Sequence, residues 1–171
     1  MSSCITMLPD RPEGAPRVPH SAAFWASVVP DPDATNREVD HVSNIEYVRW
    51  LDQLGQMHLE QMGWSSEDLL SAGAMWFVGR HEIDYRLEAL GGETLVAATW
   101  VRSVRRVKSW RDVMVWRPDP EGWQLVCTAT TLWVHVDLRT RRSTRPPRDM
   151  VEALAPLGDD APPWAGRAGR K

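Results

Sequence analysis

The sequence has little with which to build a covalent framework: two cysteines, Cys4 and Cys127, in 171 residues. Two thiols cannot staple a domain, so the expectation is a pair of free thiols in a reducing compartment, the cytoplasm. No apolar run approaches the roughly 18 residues that span a bilayer. The N-terminus has no basic flank followed by an apolar stretch, which argues against a signal peptide. No HxxxH or CxxC spacing supports a metal site. A formal net charge of -3 leaves no overall basic surplus for nucleic-acid binding. Phe and Tyr are scarce, two of each against ten Trp, so indole rings supply the aromatic surface of the core and of any binding cleft.

What is present suits one globular domain with a sizeable core: 43% hydrophobic and 25% charged residues. Residues 1–20 are rich in Pro, Ser and Gly, and 156–171 in Pro, Gly and Ala with a basic end. Both are expected to be flexible tails around a domain at 21–155. Within it, residues 22–29 read as a short apolar strand followed by a Pro- and Asp-rich loop. From Asn44 to Gln61, Glu46, Arg49, Gln53, Gln56 and Glu60 recur at spacings of three and four. Tyr47, Leu51, Leu54 and His58 recur likewise on the opposite side, the signature of a half-buried helix. Asn44 reads as its N-cap and Gly63 as its stop. Gly55 weakens such a helix by about 1 kcal/mol, so close backbone contact with its cover is expected. A second helix follows at Ser66 to Ser71, then strands at 76–88, 93–106, 109–117 and 123–137. One strand, one long helix and a four-strand meander make an α+β arrangement. The meander buries its apolar face by wrapping the helix.

Three segments carry a family resemblance. His41-Val42-Ser43-Asn44-Ile45-Glu46-Tyr47-Val48-Arg49-Trp50 is similar to GHVNNxxYLRW. Arg80-His81-Glu82-Ile83-Asp84-Tyr85, followed by Gly91-Gly92-Glu93, is similar to IDYLRPxxxGD. Thr131 to Asp137, then Arg142 and Pro146-Pro147, is similar to VDxxTGRPxxIP. In this order and at these intervals they resemble the hot-dog thioesterase superfamily, in its 4-hydroxybenzoyl-CoA thioesterase-like branch. The resemblance implies a curved antiparallel sheet of about five strands around helix 44–61. It also implies a homodimer, with further pairing to a tetramer, and an acyl-CoA or acyl-carrier-protein thioester as substrate. CoA or phosphopantetheine would enter as part of that substrate, with no separate cofactor, no nucleic-acid partner and no membrane partner.

The chain departs from the family at the catalytic carboxylate. The family places an Asp four residues before the motif His, where this chain has Arg37, and Asp40 replaces the preceding Gly. Either Asp31-Pro32-Asp33-Ala34 matches the family's Asp-Thr-Asp-Ala with four extra residues, making Asp33 the acid, or the acid is lost. In the second case Asn36, Glu38 or Asp40 substitutes, or nothing does. A carboxylate here would act as general base or nucleophile. The unpaired N–H groups at the helix start would stabilise the oxyanion. The candidate catalytic residues are thus Asp33, Asp40 and His41. The candidate substrate-binding residues are Asn44, Tyr47, Arg105 and Arg106, the last two from a basic run suited to CoA phosphates or an acidic carrier. Each has a plainer alternative: turn residue for Asp33 and Asp40, satisfied polar residue before the helix for His41, cap for Asn44, packing for Tyr47, solvated surface for the arginines. His58 and His81 read as hydrogen-bonded core residues. Two further functions stay open, a non-hydrolytic cyclase- or dehydratase-like enzyme and a silent acyl-binding module.

Overall fold

The computed structural model describes residues 3–36 and 41–165. Its main sheet holds β1 (Cys4–Leu8), β2 (Phe24–Val29), β5 (Ala74–Tyr85), β6 (Leu95–Arg105), β7 (Lys108–Asp119) and β8 (Gly122–Asp137), in the order β1-β2-β6-β7-β8-β5. All pairings are antiparallel. A two-residue strand, β9 (Arg142–Ser143), adds to β8. A separate small hairpin joins β3 (Thr35–Asn36) to β4 (His41–Val42).

Helix α1 (Asn44–Gln61) lies on one face of this sheet. Its buried residues Tyr47, Trp50, Leu51, Leu54 and His58 follow the helical period. Alternate strand residues meet them: Phe24, Ala26 and Val28 from β2, Val113 and Val115 from β7, Cys127 and Ala129 from β8. Gly55 has the close contact expected of it, since a Cβ there would lie 3.1 Å from Trp133 Cζ2 and 3.7 Å from Arg111 Cδ. Helix α2 (Ser66–Ser71) starts on a capping box between Ser65 and Asp68. The last helix is α3 (Arg148–Ala153).

The strand count exceeds the expected five, since six strands run side by side and β9 adds a seventh. The extra edge strand β1 lies inside the segment read as a tail. Its five residues, bounded by polar and Pro-rich sequence, are too few to show an alternation. The opposite sheet face is also covered, by Ala15, Trp25, Trp100 and Trp116, with Trp123 and Trp164 against them. Leu157 N and Gly158 N donate to Val101 O and Arg102 O at 3.3 and 2.8 Å, which docks the C-terminal segment on β6. Much of the Trp surplus therefore serves packing. No helix among the described residues is long and apolar enough to cross a membrane.

Candidate functional site

The start of α1 is held by a short run of backbone bonds. Asp31 accepts from Asp33 N at 2.9 Å and opens a single 3-10 turn, Pro32–Ala34. Ala34 O then accepts from Ser43 N at 3.1 Å, tying that turn to the residue before the helix. Val42 N bonds Ala89 O at 2.8 Å, and Gly92 N bonds Pro30 O at 2.8 Å, so the 89–92 segment braces the loop from behind. Gly91 is needed for this approach: a Cβ there would sit 2.8 Å from Pro32 Cα.

This frame places the expected residues as follows. Asp33 is exposed, one residue from the carbonyl that binds Ser43 N. Asp40, with Arg37 and Glu38, lies outside the described residues. His41 is half-buried on β4, paired in register with Asn36. Asn44 is exposed but is not the cap: Ser43 takes that position, its hydroxyl accepting from Ile45 N at 3.4 Å, and Asn44 opens the first turn. The sequence reading was one residue late because Ser and Asn both cap well and stand side by side. Tyr47 is buried in the core, 4.5 Å between ring centroids from Trp50 and edge-on to Tyr85 at 5.0 Å. Burial pushes its phenol pKa above the ordinary range.

Arg105 and Arg106 are not brought to this end. Arg105 closes the far end of β6, ten residues on from Leu95 or about 33 Å along the strand, and Arg106 follows it. Arg105 pairs with Asp160, and Arg106 turns the chain at φ 56.

The structure adds a feature with no local sequence pattern. Beneath the C-terminal half of α1 is a pocket of about 320 Å³ walled by Leu59, Trp64, Leu69, Trp76 and Trp133. Gly55 and Arg111 line it too, and exposed Gln56, Phe77 and Val78 mark its mouth. Asp52 joins the lining from the middle of α1, accepting from Gln56 Nε2 at 2.7 Å. Its carboxyl pKa is raised by burial, partly offset by His81. His81 itself bonds Thr131 Oγ1 at 2.9 Å. His58 is buried and accepts at Nδ1 from Arg111 Nη1 at 2.7 Å, and desolvation pushes its pKa down to about 2, so it is neutral. Both histidines are hydrogen-bonded within the fold, as read. Cys127 is buried, its thiol pushed up to about 12, and Cys4 is a free exposed thiol. Among the described residues no cluster of His, Cys, Asp or Glu is arranged to hold a metal ion.

A curved antiparallel sheet laid around one long helix, with a braced loop at the helix start, defines the hot-dog class of acyl-thioester proteins. The chain belongs to the thioesterase-like superfamily, whose family model matches residues 35–154. Among solved structures it is similar to a 4-hydroxybenzoyl CoA thioesterase complexed with 4-hydroxybenzoyl CoA, at 20% identity and TM-score 0.72, over 77% of this chain and 98% of that one. It is also similar to a 1,4-dihydroxy-2-naphthoyl-CoA thioesterase from Synechocystis, at 16% identity and TM-score 0.70, over 81% and 99%. A third likeness is to a protein named as an oleoyl thioesterase from Lactobacillus plantarum, at 16% identity and TM-score 0.71. That match covers 79% of this chain, which spans about half, 51%, of the other protein's length. By sequence, no curated protein matches.

Proposed function

We propose that this protein hydrolyses acyl thioesters of CoA or of an acyl carrier protein, releasing a carboxylic acid and a free thiol. The observation that carries this is the exposed carboxylate of Asp33 on a turn hydrogen-bonded to the N-cap of α1. In this reading Asp33 takes a proton from water as the water oxygen attacks the thioester carbon. The N–H of Asn44, in the first helical turn, meets the oxyanion, where the helix dipole favours negative charge. The C–S bond then breaks, and the proton held by the carboxyl goes to the leaving thiolate. His41, next to this turn through the β3–β4 hairpin, orients the acid or the substrate. Tyr47 shapes the wall behind the helix start rather than touching the thioester.

Among the described residues β5 is an edge of the sheet, paired with β8 alone, and it carries the exposed Phe77 and Val78. Proteins usually cover or pair such edges. We assign it to pairing with a second copy, which would set the loop 30–43 of one subunit against its partner. Within one subunit the basic turn at Arg105–Arg106 is too far from α1's start to touch the thioester. Its contact with a CoA nucleotide would therefore need a substrate extended along the sheet or a second subunit.

A panel of acyl-CoA thioesters assayed for thiol release tests the proposal. Turnover well above the spontaneous rate is expected for at least one acyl group. Bound acyl-CoA with no thiol released from any member would favour a non-hydrolytic role. The specific observation on that side is Arg37, in place of the family's carboxylate.

A further inference from the structure

Among the described residues, Arg111 is a buried cation without an anion. Its side chain lies at the pocket beneath α1 and is only 5% exposed. Nη1 donates to His58 Nδ1 at 2.7 Å and to Thr99 Oγ1 at 3.3 Å, both neutral acceptors. Nε and Nη2 make no hydrogen bond among the described residues, and no carboxylate there forms an ion pair with Arg111. The contrast with Arg102 is direct, since that arginine, on the opposite sheet face, has Asp112 at 3.7 Å. Burial alone, with no acidic neighbour acting on it, pulls the Arg111 guanidinium down to about 10. Asp52, which also lines the pocket, is bonded instead to Gln56.

A charge buried without a partner is costly to fold around. Such groups in a cleft are candidates for ligand contact. The free donors of a guanidinium form a planar fork that matches a carboxylate in two parallel hydrogen bonds. The walls around it are mostly apolar, with Asp52 and Gln56 held to each other on the α1 side, so the ligand must bring an apolar body and an anionic end. Gly55 on the pocket lining is eleven residues along α1 from Asn44, about 16 Å. A thioester carbonyl at the helix start would thus leave the far end of its acyl group here.

We propose that the pocket takes an acyl group ending in a carboxylate, an ω-carboxyacyl thioester, with that carboxylate held by Nε and Nη2 of Arg111. This rests on the thioester reading above and narrows it to a substrate class.

Calorimetric titration of the full chain with two non-hydrolysable probes tests it: the CoA amide of dodecanoic acid and the CoA mono-amide of dodecanedioic acid. The wild type should bind the second at least about tenfold more tightly, as a charge-paired buried carboxylate requires. Arg111→Met should lose that preference, and Arg111→Lys, which keeps the cation without the fork, should retain part of it. Equal affinity of the two probes for the wild type, or binding of neither, overturns the assignment. So does an undiminished preference in Arg111→Met; a lowered melting temperature alongside it would mark Arg111 as structural. Because the probes are not turned over, the two readings fail separately. Probe preference with no hydrolysis of any acyl-CoA removes the hydrolase reading alone. Hydrolysis without preference removes this one alone.

Discussion

The two ends of helix α1 face different surroundings. At its start, exposed polar residues and backbone bonds converge: Asp33, Asn44, the Ser43 cap and the Ala34–Ser43 link. Toward its other end, Gly55 and Leu59 border an apolar pocket with one buried cation, Arg111. The first is exposed and lies at the positive end of the helix dipole, which suits bond making and breaking. The second is walled largely by apolar side chains, which suits holding a chain and reading its far end. A single helix spanning both would separate chemistry from selectivity by about 16 Å.

The strongest way to break this comparison is at the helix start. Asp33→Asn keeps the size of the side chain and removes the carboxylate. Turnover should fall roughly 10²–10⁴-fold with little change in melting temperature. Asp40→Asn should cost far less. The reverse ranking would move the acid to Asp40, and normal activity in both variants and in the double would leave only Glu38.

At the other end, Trp133→Ala removes an indole packed on Gly55 and the pocket wall. Truncations of this kind cost about 3–5 kcal/mol, and a thermal melt should show it. The loss should fall on stability and on acyl preference, with the chemical step kept in the molecules that remain folded.

A third test uses pH. His58 is neutral in the fold, its pKa held near 2 against 6.5 when unfolded. Its contribution is therefore present above pH 6.5 and is lost as pH falls, because the unfolded chain takes up a proton that the native chain does not. The expected slope is about 1.4 kcal/mol per pH unit, or about 2 kcal/mol by pH 5. His58→Gln keeps an acceptor for Arg111 and cannot titrate. Urea melts at pH 7 and pH 5 should show a smaller loss in that variant than in the wild type. Equal losses would mean that His58 is charged or solvated in the native state.

The smallest effect is expected from Gly55→Ala. The new methyl would crowd Trp133 at 3.1 Å, costing about 1–3 kcal/mol by overpacking. The better helix propensity of Ala returns about 1 kcal/mol. A net loss near 1 kcal/mol, with a narrowed pocket, is the outcome to look for.

The helix start could be read in the sequence because its parts are contiguous. His41 to Trp50 form one motif, and the Gly91-Gly92 pair that braces the loop is a visible turn. Helix Asn44–Gln61 lies where the periodicity puts it, and Ser66–Ser71 has the bounds expected of the second helix. The pocket could not be read in the same way, since α1, α2, β5, β7 and β8 each contribute only a few side chains to it. Nothing in the sequence sets Asp52 apart from the other polar residues of the helix. In the sequence Arg111 stands in a basic run with Arg102, Arg105, Arg106 and Lys108. Yet Val113 and Val115 alternate inward on β7, and the same alternation carries Arg111 toward the helix while Asp112 turns to the other face. That signal was present, but the charge of the run obscured it.

The account is tested most directly by steady-state kinetics on acyl-CoAs of graded length, with the wild type, Asp33→Asn and Gly55→Ala measured side by side. The account predicts that Asp33→Asn lowers kcat by a common factor across the series and leaves the ratio of long to short substrates unchanged. Gly55→Ala should change that ratio while leaving kcat on the shortest acyl group within about twofold, as a change in binding alone would. An unchanged kcat in Asp33→Asn, or a uniform loss across all lengths in Gly55→Ala, would contradict the division of labour along α1.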